Sequence, residues 1–237
     1  MKKNFLVIGH RGACAYAPEN AKSSFDKALS LGVDGLETDI RRTKDGILVL
    51  FHDDTLDNKS SLKGAIQDYT YEELIRADFG SWFSQEFSGE HILRLNEFLS
   101  IYGGRVHLSL EIKATDIEEQ LLDEIRRAHL VKDDYMITAF ELTSLIQIRK
   151  LDQTVSLGYL VGDCKKDTVH TCLENRIDAI CPRATSLNEH DVQYAHNNGL
   201  FVRAWGVADE ELMKKAYNAG VDGMTIDFPD RLIVYIA

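Results

Sequence analysis

Prolines are scarce, three in 237 residues, and no stretch is low in complexity, so no linker is visible and residues 1–237 read as one domain. Long hydrophobic runs are also missing. The opening MKKNFLVIGHRG is apolar only from Phe5 to Ile8, too short for a secretory core, and nothing later approaches membrane-spanning length. A stable membrane anchor is therefore not expected. The four cysteines, Cys14, Cys164, Cys172 and Cys181, form no CxxC or ligand-like spacing. They read as reduced thiols, and the chain as cytoplasmic. There is no basic block, and the net charge is -11, which argues against a nucleic-acid partner. An anionic small molecule stays open as a substrate, because a few local cations or a metal can dominate one pocket. Nothing in the sequence speaks to oligomeric state.

What is present is alternation. With 44% hydrophobic residues the chain can bury a large core. Strand-like runs fall at 5–9, 35–40, 106–112, 135–140, 155–161, 179–182, 201–207 and 223–227. Amphipathic helical runs fall between them at 19–31, 117–129, 142–151, 166–175, 188–198 and 209–219, with Gly32, Gly199 and Gly220 as stop signals. Eight such units predict a closed (β/α)8 TIM barrel. The competing Rossmann topology lacks its GxGxxG after the first strand. A ninth apolar run, 47–52, follows the second strand too closely for a parallel crossover. The Lys44-Asp45-Gly46 turn instead predicts a hairpin, with Gly46 at positive φ, that brings His52 opposite Glu37 to within about a residue. Residues from about 54 to 95 interrupt the barrel pattern. Their aromatics, among them Trp82, Phe83 and Phe87, predict a small insertion over one end, equally readable as satellite packing or as a lid.

Polar residues on these strands need an explanation. Side chains two apart in a strand share a face, so Glu37 pairs with Asp39, and Glu111 with Lys113. With His10 and Arg11 they stand at the C-terminal ends of the first three barrel strands, where barrel active sites lie. Singly, each reads as a solvated or ion-paired group. Together, three carboxylates in one mouth would repel and desolvate badly unless a hard cation joins them. Oxygen donors favour Mg2+, Ca2+ or Mn2+. His10 and His52 beside such an ion suit acid and base roles, and Arg11 and Lys113 suit an anion. The set describes phosphoester chemistry.

The runs HRG at 10–12, PEN at 18–20, FDKALSLGVDGLETDI, TKDGILVLFHD, LSLEIK, and WGV followed by GVDGMTIDFPD resemble the glycerophosphodiester phosphodiesterase family over nearly the whole chain, in order and spacing. The resemblance implies a TIM barrel with a small insertion, one divalent cation, Mg2+ or Ca2+ with Mn2+ as a further option, and hydrolysis of glycerophosphodiesters to glycerol 3-phosphate and an alcohol, through a cyclic phosphate. By the same resemblance His10 and His52 are the acid/base pair, in either order. Glu37, Asp39 and Glu111 are metal ligands, Arg11 and Lys113 contact the phosphate, and Trp205 lines the pocket. Ala21, Leu93, Gly206 and Ile226 depart from the family pattern and bear on substrate fit rather than chemistry. Two rivals remain at this point: a lysophospholipase D acting on lysolipids, favoured by a greasy mouth around Trp82, Phe83 and Phe87, and a non-catalytic metabolite-binding barrel.

Overall fold

In the computed structural model, which describes residues 5–237, nine strands form one sheet. They are β1 (Leu6–Gly9), β2 (Gly35–Arg42), β3 (Leu48–Leu50), β4 (His107–Ile112), β5 (Tyr135–Ala139), β6 (Leu157–Val161), β7 (Ala179–Pro182), β8 (Phe201–Val207) and β9 (Gly223–Ile226). The order β1-β9-β8-β7-β6-β5-β4-β2, closed by a parallel β1–β2 pairing, is an eight-stranded parallel barrel. β3 is the ninth strand and pairs antiparallel with β2, Ile40 with Leu50 and Arg42 with Leu48. The hairpin expected from the turn is therefore present. Gly46 has φ 84° and donates its N–H to the Thr43 carbonyl at 3.0 Å. Continued by two residues, the register sets His52 against Thr38, one residue from the expected Glu37.

The helices α1 (Lys22–Leu31), α2 (Tyr71–Leu74), α3 (Leu95–Tyr102), α4 (Glu118–Arg127), α5 (Leu142–Leu151), α6 (Lys166–Glu174), α7 (Glu189–Asn197), α8 (Glu210–Ala219) and α9 (Pro229–Ile236) complete the described residues. Their ends follow the chain's own signals. Asp209 accepts from the Leu212 N–H at the start of α8, and Gly220 closes it at φ 98°. Two differences from the sequence reading stand out. α1 begins at Lys22 rather than 19, because Asn20 takes φ 57° and is used elsewhere. α2, α3 and α9 were not foreseen.

The main core lies between barrel and helices, where Phe25, Leu36, Phe98, Leu108, Ile137 and Val202 are fully buried. A small cluster inside the barrel joins Leu160, Ala179 and Cys181 with Met136, Phe201 and Trp205. A separate cluster, Val49, Phe51, Leu56, Ile66, Leu74, Ala77, Phe79 and Ile92, packs the 54–95 segment onto the outer hairpin strand β3.

Candidate active site

Strand adjacency assembles the site. β2 lies between β1 and β4, and Asp39 is paired in register with Glu111. His10 and Arg11 leave the end of β1, and Asp227 leaves the end of β9 next door, with the His10 N–H on the Ile226 carbonyl at 3.1 Å. Ligand oxygens of Glu37, Asp39 and Glu111 all lie within 4.8 Å of one another, and all three residues are buried. His10, Arg11, Glu37, His52, Glu111 and Lys113 line one cavity of about 190 Å³, which Phe140 and Trp205 also line. Every candidate catalytic, metal-ligating and phosphate-contacting residue is thus brought to one place, with Asp39 behind the wall and bonded to its neighbours. Larger grooves of about 770 and 760 Å³ contain neither histidine nor carboxylate triad, although Lys113 also borders the first.

The acids are held by groups from the loop after β1. Asn20 donates to Asp39 Oδ2 at 2.9 Å and accepts from Thr38 Oγ1 at 2.7 Å, so one amide grips both faces of β2. Arg11 has φ 50°, an uncommon conformation for a residue with a side chain and a mark of functional loops. It lets the Arg11 N–H reach Glu37 Oε2 at 3.0 Å while the guanidinium meets Asp39 at 3.2 Å and Glu19 at 2.9 Å. The turn after it needs Gly12, at φ 89°, where a Cβ would fall 2.5 Å from the Ser24 carbonyl carbon. Lys113 Nζ stands 2.5 Å from Glu111 Oε1 and 3.6 Å from Asp39 Oδ1. These are ion pairs with poor hydrogen-bond alignment, and both oxygens are left without a well-aligned donor.

The electrostatics follow from crowding. Burial raises Glu111, nearby Asp39 raises it further, and its carboxyl is pushed up to about 8 despite Lys113. Glu37 is likewise raised by burial and by Asp39. Burial also works against Asp39, but Arg11 and Lys113 outweigh it and hold that carboxyl below its usual range. The histidines diverge. Desolvation pulls His10 down, yet the 2.5 Å hydrogen bond from Nδ1 to Asp227 and the Glu37 carboxylate 3.9 Å from Nε2 outweigh it, so His10 is raised. In His52 desolvation prevails over the attraction of Asp39, and it is lowered.

Sequence reasoning missed the network around His52. Nδ1 of His52 bonds Asp53 at 2.7 Å, Asp53 bonds Lys59 at 3.0 Å, Lys59 bonds Glu19 at 2.8 Å, and Glu19 bonds Arg11. Asp53 could have been found as the immediate neighbour of His52, and Asp227 from its place at a strand end; Lys59 has no local signal. Trp205 donates its indole N–H to the Val161 carbonyl at 3.1 Å and meets Phe140 edge-on at 5.1 Å. Trp82, Phe83 and Phe87 pack on one another and do not line the cavity.

A parallel eight-stranded barrel whose C-terminal mouth gathers acids, imidazoles and cations is a TIM barrel of the enzyme class. The sequence model of the glycerophosphoryl diester phosphodiesterase family matches residues 10–231, and the chain belongs to that family, among the phosphoric diester hydrolases. It is 33% identical over 234 residues to a glycerophosphodiester phosphodiesterase from Caldanaerobacter subterraneus subsp. tengcongensis, covering 96% of each chain. A Bacillus altitudinis glycerophosphodiester phosphodiesterase is 30% identical over 236 residues, again 96% of each. The structure superposes on an Oleispira antarctica phosphodiesterase in complex with the product sn-glycerol-3-phosphate with TM-score 0.89 and 29% identity, covering 98% of this chain and 96% of that one.

Proposed function

We propose that the chain hydrolyses glycerophosphodiesters to glycerol 3-phosphate and an alcohol, with one divalent cation held by Glu37, Asp39 and Glu111 and with His10 and His52 as the acid/base pair. The observation that carries this is the meeting of three buried carboxylates and two imidazoles at one barrel mouth. The residues fit a hard ion. Three oxygen donors lie within 4.8 Å, and Asp39 Oδ1 and Glu111 Oε1 lack aligned donors. Mg2+ or Ca2+ suits such a set, and a soft metal does not, because neither cysteine nor histidine nitrogen belongs to the triad. A bound divalent ion supplies Lewis-acid polarisation of the phosphoryl oxygen and lowers the pKa of an adjacent hydroxyl.

The protein's own groups do the rest. Arg11 and Lys113 place positive charge beside the phosphate, although both are partly committed to carboxylates. His52, lowered by desolvation, offers a free lone pair to take the proton of the glycerol 2-hydroxyl as it attacks phosphorus. His10, raised by its hydrogen bond to Asp227, donates to the departing alcohol. Water then opens the cyclic phosphate with the two roles exchanged, so atoms and protons balance over the cycle. Trp205 and Phe140 form an aromatic wall against the apolar face of the substrate. The lysolipid reading gains no support from the mouth, since the aromatic group at Trp82 lies outside the cavity. Substituting His10→Ala or His52→Ala is expected to lower kcat on glycerophosphocholine by about 10²–10⁴-fold with the circular-dichroism spectrum intact. Full activity in either variant contradicts the assignment.

A further inference from the structure

Arg203 is an odd residue to find inside a barrel. It lies on β8 two positions before Trp205, on the inward face, and is 2% exposed. Nη1 donates to Ser109 Oγ at 2.5 Å, and the guanidinium's other side-chain partner is the Cys181 thiol. It makes no ion pair with any described carboxylate, and Nε has no hydrogen-bond partner. A guanidinium carries five donors, and burying one with so few partners is unfavourable unless the site uses them. Thr225 on the neighbouring strand β9 repeats the pattern: it is 5% exposed, and its Oγ1 has no partner. Both line the same cavity as His10, His52 and Glu111. Its inner end is therefore a patch of unused, buried hydrogen-bonding groups set below a charged rim.

The geometry of that cavity selects what reaches the floor. Its volume of about 190 Å³ is below the range of about 300 Å³ or more that suits a drug-sized ligand, so it admits a small polar group and not a choline ester or an acyl chain in addition. The alcohol, whatever its size, must face the opening. We propose that Arg203 and Thr225 form a subsite that binds the terminal hydroxyl of the glycerol end of the diester, orienting it inward while the 2-hydroxyl and the phosphate stay at the rim with His52 and the carboxylates. The subsite rests on the glycerophosphodiester reading above and goes further by assigning what recognises glycerol. A hydroxyl is the matching ligand: it accepts from the guanidinium and exchanges hydrogen bonds with a threonine. A second phosphate is less suited, because Thr225 brings no charge and the rim already supplies Arg11 and Lys113.

The test compares glycerol 3-phosphate with n-propyl phosphate, which keeps the charge and loses the hydroxyls. Calorimetric titration of the Mg2+-saturated full chain is expected to show glycerol 3-phosphate binding at least about tenfold tighter. In Arg203→Met and, separately, in Thr225→Val, that preference falls severalfold while propyl phosphate binds within about twofold of wild type. Thr225→Val is nearly isosteric, so it reads the subsite even if Arg203→Met does not fold. Equal weakening of both ligands makes Arg203 a phosphate contact and overturns the subsite. So does an unchanged preference in Thr225→Val, whether or not Arg203→Met folds. Wild-type protein that turns over glycerophosphocholine yet binds the two ligands equally overturns the subsite alone. Protein that turns over no glycerophosphodiester overturns the underlying reading and the subsite with it.

Discussion

Asp227 shows how much one side chain contributes at the residue scale. Its carboxylate, 2.5 Å from Nδ1, is the largest influence that raises His10 against desolvation, ahead of Glu37. In Asp227→Asn the raised pKa of His10 falls, so the alkaline limb of the kcat/KM profile moves to lower pH, while the acid limb, set by His52, stays put. An unmoved alkaline limb contradicts the pairing. Gly12 is the backbone counterpart. Its positive φ and the 2.5 Å approach to Ser24 backbone leave no room for a methyl, so Gly12→Ala is expected to destabilise the fold by about 2 kcal/mol or more, read as a lower denaturant midpoint. The functional residues found from the sequence were those that break a strand's apolar pattern: Glu37, Asp39 and Glu111 stand where a core side chain is expected, and period two puts them on one face. Arg203 breaks the same pattern beside Trp205 and could have been singled out on the same grounds, but was not. Asn20 was not, because its role depends on a left-handed turn that no periodicity announces.

The hairpin of β2 and β3 is the element that makes the site possible. It carries His52 to the barrel rim without spending a barrel strand, and its register could be worked out in advance to within a residue because a short turn and alternating faces leave few choices. The segment after it was harder. Its contribution to the site is Lys59, which bonds Asp53 and also Glu19, 40 residues away in sequence, and so binds the histidine arm to the loop after β1. We propose that this segment is an insertion whose service to the site is Lys59 rather than a greasy lid. Lys59→Met is expected to lower kcat about tenfold with KM within about threefold, and Lys59→Arg to restore most of it; a change in neither parameter contradicts the coupling. Helix α3 went unread for a physical reason too. It is eight residues long, and Arg94 at its start gives no side-chain cap, so both the periodic and the boundary signals are weak. α9 is equally short, although Pro229 at its first turn was a usable cue.

For the whole molecule, eight βα units determine a closed barrel, and closure determines that chemistry from β1, β2, β4 and β9 meets at one mouth. No helix among the described residues is long and apolar enough to cross a membrane. An acidic chain with net charge -11 still brings Arg11, Lys113 and Arg203 to its cavity, where they face Glu37 and Glu111. The account turns on the three carboxylates being a cation site rather than an unrelieved cluster. The most direct test is calorimetric titration of chelator-treated protein with Mg2+ and Ca2+, on wild type and on Glu111→Gln. The account predicts one divalent ion per chain in the wild type, at least about tenfold weaker binding in the variant, and glycerophosphocholine turnover lost with EDTA and restored by the ion. Full turnover by wild-type protein carrying no metal, or ion binding indifferent to Glu111→Gln, would contradict it.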